Sequence, residues 1–189
     1  MLIVPLNNLI VEIPDSSLDI CKKMVDMTME YRKEIPAIVF GKRSKERYII
    51  KKIIIPDAIN RGGNEKNCFL RPEYYNFITE KYGRLIIGSA HTHPENLKED
   101  SLIDNISYSD IIFSYKHGNQ LNLTCFLDDK AIIYFTNKKI RNKAKKAYYE
   151  YIREMEFQSG AVHDSWCFEK FEEEIYNLKK TLDIKVLDF

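Results

Sequence analysis

The stretch Leu85-Ile-Ile-Gly-Ser-Ala-His-Thr-His-Pro94 joins an apolar run to two histidines. The run predicts a buried β-strand, and Pro94 ends it because proline cannot donate a hydrogen bond to a neighbouring strand. Side chains alternate faces along a strand, so His91 and His93 point to one side and Thr92 to the other. The two histidine side chains then start about 7 Å apart and can converge on one ion. Because the chain has only 4 histidines, this placement predicts a metal site.

Length and composition limit the classes of protein that fit. The chain has 189 residues with 44% hydrophobic content, enough for one domain with a real core. The net charge of +1 gives no general attraction to nucleic acid or to an anionic membrane, so neither is expected as a partner. No stretch approaches the roughly 18 apolar residues of a membrane span, and the first residues do not read as a signal peptide. The 4 cysteines form no C-x-x-C pair, so we expect reduced thiols and a cytoplasmic location.

The order of predicted elements indicates the fold class. A strand in residues 2–13 and a helix over 17–32 come first. A buried strand at Ala37–Phe40, which turns at Gly41, begins a hairpin, and residues 60–64 are expected to form a flexible loop. A helix, the histidine strand, a short helix, two strands, two long helices and a short terminal strand near residues 184–186 follow. Strands and helices neither alternate strictly nor segregate, which predicts an α+β fold with a mixed sheet packed with helices.

A catalytic zinc usually has three protein ligands, so the histidine pair needs a third donor. Asp104 and Asp110 are the candidates, and each lies three residues after a serine. Each Ser-x-x-Asp is also an ordinary helix-capping pattern, which would be the preferred interpretation of either one alone. The pattern gains weight only beside the two histidines.

Together these residues resemble the JAMM signature of the JAB/MPN metalloproteases, His-[Ser/Thr]-His-Pro followed by Ser-x-x-Asp. Ser107 and Asp110 supply the second part here. Family members also carry a glutamate seven residues before a glycine at the end of a hydrophobic strand, and Glu34 and Gly41 have that spacing. The order of elements matches as well.

The resemblance covers residues 1–137 and implies an MPN/cytidine-deaminase-like mixed sheet packed with helices. Residues 138–189 would form a C-terminal helical extension packed on or beside that domain. One departure concerns the third ligand, because family members usually have about seven residues between the proline and the serine. Here twelve residues separate Pro94 from Ser107. We favour Asp110 over Asp104 because a clean helix, from Ile111 to Gly118, follows it.

The resemblance implies a zinc-dependent peptidase or isopeptidase with one zinc ion per chain. His91, His93 and Asp110 would hold the metal, Glu34 would act as general base, and Ser107 would donate to the developing oxyanion. Without that spacing, Glu34 would read as a solvated acid at a helix end. The implied substrate is a conjugate at the C-terminus of ubiquitin or a ubiquitin-like protein, or a related peptide conjugate.

A second function stays open, since the family includes metal-free members that act as scaffolds or binding modules in larger assemblies. The exposed basic helix and the unmatched C-terminal segment would then be the docking surface. A two-histidine, one-carboxylate iron oxygenase fits less well, because its signature is usually His-x-Asp or His-x-Glu. The basic cluster Lys138–Lys146 reads as a solvated helix face. His117 is expected at a helix end and His163 in a surface loop, and the sequence leaves the oligomeric state open.

Overall fold

The structure is a computed structural model that describes the backbone of residues 1–118, 120–157 and 161–189. It also describes their side chains, except at 117, 156, 157 and 161–166. The strands within this part of the chain are β1 (Leu2–Leu6), β2 (Leu9–Ile13), β3 (Pro36–Arg43), β4 (Arg47–Ile54), β5 (Arg61–Gly63), β6 (Cys68–Leu70), β7 (Ile86–Thr92), β8 (Leu121–Cys125), β9 (Lys130–Phe135) and β10 (Ile184–Asp188). The helices are α1 (Asp15–Tyr31), α2 (Pro72–Tyr82), α3 (Tyr108–His117), α4 (Lys138–Phe157) and α5 (Ala161–Lys179).

Eight of the described strands form one mixed sheet in the order β1-β2-β4-β3-β7-β8-β9-β10. The pairs β2–β4 and β7–β8 are parallel, and the other neighbours are antiparallel. The predicted α+β class with a mixed sheet is therefore confirmed. β7 lies near the middle of the sheet, between β3 and β8, so both of its edges are paired. The histidine strand is thus one of the most constrained parts of the fold.

Helices cover both faces of this sheet, which explains why every residue of the central strand β8 is buried. α1 packs on one face, and α3, α4 and α5 contribute to a second apolar cluster. Neighbouring residues of β9 belong to different clusters: Ile133 packs in the cluster on the α1 face, and Ile132 packs in the cluster on the α3 face. This alternation fixes which side chains of each strand face α1 and which face α3.

Three local predictions were wrong, each at a turn. Residues 2–13 form two strands rather than one, because Asn7 adopts a left-handed backbone with φ 53° and turns the chain. β3 does not end at Gly41 but continues through a bulge there to Arg43. A Cβ on Gly41 would lie 2.1 Å from the Ile49 carbonyl oxygen, so glycine permits the close approach of β4 rather than a turn. Residues 60–64 belong largely to a small hairpin, β5–β6.

The C-terminal segment joins the main sheet. β10 pairs with β9 in antiparallel fashion, which confirms the expected terminal strand. α4 and α5 supply Ala144, Ala147, Phe171 and Ile175 to the apolar cluster on the α3 side of the sheet. The division of the chain at residue 137 stays a prediction. None of the described helices has the length and apolar character needed to cross a membrane.

Candidate metal centre

The two histidines meet at the C-terminal end of β7. His91 lies in the strand and His93 just beyond it, and their Nε2 atoms are 3.1 Å apart. Gly88 lies three residues before His91 in the same strand. A Cβ there would lie 2.1 Å from the Leu121 carbonyl oxygen, so glycine lets β7 and β8 pack closely at this point. The predicted convergence of the two imidazoles on one face is confirmed.

Thr92, between the histidines, points to the opposite face and is fully buried. Its hydroxyl lies 2.5 Å from the Thr28 hydroxyl on α1 and accepts a hydrogen bond from the Ile35 N–H at 2.8 Å. These contacts tie the end of β7 to α1 and to the segment that begins β3. Thr92 therefore fixes the position of the strand end from which both imidazoles project.

Asp110 reaches the histidines from the first turn of α3. The capping pattern predicted from the sequence is present: the Ser107 N–H donates to Asp110 Oδ2 at 2.8 Å, and the Asp110 N–H donates to Ser107 Oγ at 3.2 Å. Asp110 Oδ1 lies 3.2 Å from His91 Nε2, and Oδ2 lies 3.9 Å from His93 Nε2. Asp110 therefore both caps α3 and lies beside the histidines, because the capping hydrogen bonds hold its carboxylate toward them.

The spacing of these donor atoms fits a zinc ion. Tetrahedral zinc with ligand distances of 2.0–2.1 Å places its ligands about 3.3 Å from one another. The donor atoms of His91, His93 and Asp110 all lie within 4.8 Å of one another, with two of the separations at 3.1 and 3.2 Å. Two imidazoles and one carboxylate also match the donor set of catalytic zinc sites, which keep a fourth position open. The residues present therefore fit the metal that the sequence suggested.

Asp104 does not join this group. It lies in the 3₁₀ turn Leu102–Asn105, is exposed, and has Lys179 as an electrostatic neighbour. Lys179 itself donates to the Ile106 carbonyl oxygen at 2.6 Å. The geometry thus brings Asp110 to the histidines and leaves Asp104 outside.

Glu34 faces the same cavity from the connection between α1 and β3. Its side chain is buried, and its backbone N–H donates to the Asn64 carbonyl oxygen at 3.0 Å. Burial raises its pKa to about 7; the His91 charge opposes that rise and the Asp110 charge adds to it. A carboxyl group with a pKa near 7 can both accept and release a proton at neutral pH.

The charges within the cluster depend on one another. Burial lowers the pKa of His93 to about 4, and the nearby His91 adds to this effect. Burial also disfavours charge on His91, but the Asp110 carboxylate overcomes it and raises the pKa of His91 above its ordinary value. Burial alone would raise the pKa of Asp110, yet His91, His93 and the Ser107 N–H hold it at about 2. Without a metal, the cluster therefore keeps Asp110 charged and His93 neutral.

Ser107 lines the same cavity as His91, His93 and Asp110. Its hydroxyl oxygen accepts the capping hydrogen bond from the Asp110 N–H, and a serine hydroxyl that accepts still has its own hydrogen to donate. The cavity has a volume of about 90 Å³, space for several water molecules. All five residues proposed from the sequence line this one cavity: Glu34, His91, His93, Ser107 and Asp110.

The sequence did not reveal Cys68, which lies in the same cavity beside Glu34. It lies in β6, whose partner β5 falls within residues 60–64, the segment that was expected to form a flexible loop. Its signal was the Gly62-Gly63-Asn64 turn followed by a short Cys-Phe-Leu run. The side chains of the other two histidines, at 117 and 163, lie outside the described residues. The backbone at 163 belongs to α5 and not to the expected loop.

Comparison with known proteins adds no relative. The chain matches no protein-family model, and a search of the curated proteins finds no match. A proposal for its function therefore depends on the motif resemblance in the sequence, the donor geometry and the electrostatics of the cavity.

Proposed function

We propose that this protein is a zinc-dependent peptidase or isopeptidase of the JAMM type. In this proposal it hydrolyses the bond at the C-terminus of ubiquitin or a ubiquitin-like protein, in the cytoplasm. One observation carries the proposal: the donor atoms of His91, His93 and Asp110 lie within 4.8 Å of one another, and Glu34 faces the same cavity. Three ligands with an adjacent buried carboxyl group are the arrangement of a hydrolytic zinc site.

His91, His93 and Asp110 would hold the metal. Bound zinc would polarise the carbonyl of the scissile bond and lower the pKa of water. The protein's own contribution here is geometric, since the capping box of α3 fixes Asp110 and the paired strand β7 fixes His91. A site held by paired strands and a capped helix needs little rearrangement on binding its ion.

Glu34 would move the proton. In its charged form, the carboxylate takes a proton from water, and in its neutral form it gives that proton to the amine that leaves. In the metal-free protein burial raises the pKa of Glu34 to about 7, and the charge of a bound zinc ion would lower it from there and favour the proton-accepting form. The burial that raises this pKa also keeps bulk water away from the carboxyl group.

Ser107 would stabilise the negative charge that develops on the carbonyl oxygen. Its hydroxyl hydrogen is available to donate while its oxygen caps α3. A donor of this kind contributes about 2.7–4 kcal/mol to the stability of the transition state. The capping role also holds Ser107 in place, so the donor is oriented before the substrate binds.

The substrate class rests on the sequence resemblance, which the local structure accommodates. Gly41, the glycine seven residues after Glu34, lies where β3 approaches β4 too closely for any side chain. The cavity continues from the histidines along β3 and β7, between α3 and the β5–β6 hairpin.

The test is hydrolysis of C-terminal amide conjugates of ubiquitin and of ubiquitin-like proteins by zinc-loaded protein. Wild type should release the amine, Glu34→Gln should bind zinc but release none, and Glu30→Gln should behave as wild type because Glu30 is exposed on α1. Equal rates for wild type and Glu34→Gln would contradict the role of Glu34. A wild type that binds zinc and cleaves none of the conjugates would contradict the proposed substrate class.

A further inference from the structure

Cys68 lies beside Glu34, and both residues line the cavity that contains the histidines. The Cys68 thiol and the Cys68 backbone N–H are the hydrogen-bond partners that lower the pKa of the Glu34 carboxyl group against the effect of burial. We propose that Cys68 is a positioning residue, which holds the Glu34 carboxyl group toward the cluster of His91, His93 and Asp110. This inference rests on the proposed function for the meaning of Glu34, while the contact itself does not depend on it.

The turn before Cys68 is built to a fixed shape. The Asn64 side-chain oxygen accepts hydrogen bonds from the Lys66 and Asn67 N–H groups at 2.8 and 3.1 Å. The Asn64 N–H in turn donates to the Asn67 carbonyl oxygen at 2.8 Å. Gly63 has a φ of 154°, and a Cβ there would lie 2.5 Å from the Asn67 carbonyl oxygen. The turn therefore closes only with glycine, and it sets Cys68 at a defined position.

The same hairpin also holds the main chain of Glu34. The Asn64 carbonyl oxygen accepts from the Glu34 N–H at 3.0 Å, while Cys68 contacts the side chain. Glu34 is thus fixed at both ends by one small element, at the point where α1 has ended and β3 has not begun. The neighbouring Ile35 is also held, by its hydrogen bonds to Thr92, and the hairpin adds the contact that reaches the Glu34 carboxyl group.

The chemistry of a thiol suits this position. Burial and the Glu34 charge raise the pKa of Cys68 well above its ordinary value, so the thiol keeps its proton and remains a donor. A thiol is a weak donor, and it opposes the effect of burial on the pKa of Glu34 only in part. A lysine or arginine in its place would hold the glutamate charged and unable to return a proton.

Cys68 also differs from the other cysteines in its surroundings. Cys21, Cys125 and Cys167 are buried in the interior, where a cysteine acts as a small apolar side chain. Cys68 is only partly buried and lines the cavity. A packing role would not require it to face Glu34.

The contact can be tested without any enzymatic activity. Metal-free protein is treated with iodoacetamide at pH 8, and the rate at Cys68 is read by mass spectrometry of the peptide that contains it. Removing the Glu34 charge lowers the pKa of the thiol and raises the fraction of reactive thiolate, about tenfold for each pKa unit. Glu34→Gln should therefore be labelled several-fold faster than wild type, and Glu30→Gln at the wild-type rate. Equal rates for Glu34→Gln and wild type would overturn the inference.

The positioning role has its own test in steady-state kinetics with the zinc-loaded protein. Cys68→Ala should lower kcat roughly 3- to 10-fold, as expected for the loss of one hydrogen bond, with KM and zinc content unchanged. Cys68→Ser, which restores a donor, should recover most of kcat. If Cys68→Ala keeps the wild-type kcat, or if serine rescues nothing, the role is refuted. A wild type that hydrolyses no conjugate would refute the proposed function instead, and the labelling result would stand.

Discussion

Glu34→Gln should stabilise the metal-free protein against unfolding, and it should abolish hydrolysis by the zinc-loaded protein. Glu34 is buried, and its pKa in the folded protein is about 7 against an ordinary value of 4.5. The folded state therefore binds a proton at this site more tightly than the unfolded state. Below pH 4.5 both states are protonated and the site costs nothing. As the pH rises through 7, the folded state must hold a buried charge, and stability is lost.

The size of the effect follows from the shift. Each pKa unit corresponds to about 1.4 kcal/mol, so the buried charge costs about 3 kcal/mol at pH 8. At pH 5, where the folded state is still protonated, the cost is under about 1 kcal/mol. Glutamine has nearly the same shape and carries no charge, so the variant should recover most of this difference at pH 8 and little of it at pH 5.

Urea unfolding of metal-free protein at the two pH values measures this directly. Glu34→Gln should raise the unfolding free energy by about 3 kcal/mol at pH 8, while Glu30→Gln on the exposed face of α1 should leave it unchanged. A Glu34→Gln variant no more stable than wild type at pH 8, or equally stabilised at both pH values, would refute the reasoning. Such a trade between stability and activity is typical of buried catalytic groups.

The other predictions concern the metal, the oxyanion and the strand. Asp110→Ala should weaken zinc binding more than about 100-fold in a competition titration, whereas Asp104→Ala should not. The reverse result would assign Asp104 as the third ligand. Ser107→Gly should lower kcat about 100- to 1000-fold yet cost only a few tenths of a kcal/mol in thermal unfolding, since glycine is tolerated at a helix N-cap. An unchanged kcat would exclude Ser107 as a donor. Gly88→Ala should lower the unfolding free energy measured in urea by about 1–3 kcal/mol, because its Cβ would meet the neighbouring strand. Gly83→Ala should not, because its Cβ would lie 3.5 Å from Thr79 Cγ2, an ordinary contact distance. Equal losses of stability in the two variants would contradict the packing argument.

The sequence was most informative where local patterns and the final structure obey the same physics. Alternation along a strand placed His91 and His93 on one face, and a capping pattern at Ser107 placed Asp110 on the first turn of a helix. The helix that follows Asp110 favoured that residue over Asp104 in the sequence, and the structure brings Asp110 to the histidines. The sequence did not give the path by which the chain between Pro94 and α3 returns to the sheet, because no local pattern records it.

The turns were the hardest part to predict. Gly41 looked like the end of a strand, yet it allows the contact between β3 and β4, because glycine serves both purposes. The segment from Asn60 to Asn64 looked flexible, yet the Asn64 side chain organises a hairpin that reaches Glu34. The hydrogen bond between Asn64 and Glu34 joins residues about thirty positions apart, so periodicity in the sequence gives no sign of it.

Zinc binding through the histidine pair is the central claim, and metal content tests it most directly. Wild type, His93→Ala and Asp104→Ala would be equilibrated with zinc, freed of loosely bound metal and measured by elemental analysis. We predict about one zinc ion per chain in wild type and Asp104→Ala, and almost none in His93→Ala. A wild type that retains no zinc, or a His93→Ala variant that retains as much as wild type, would contradict the claim.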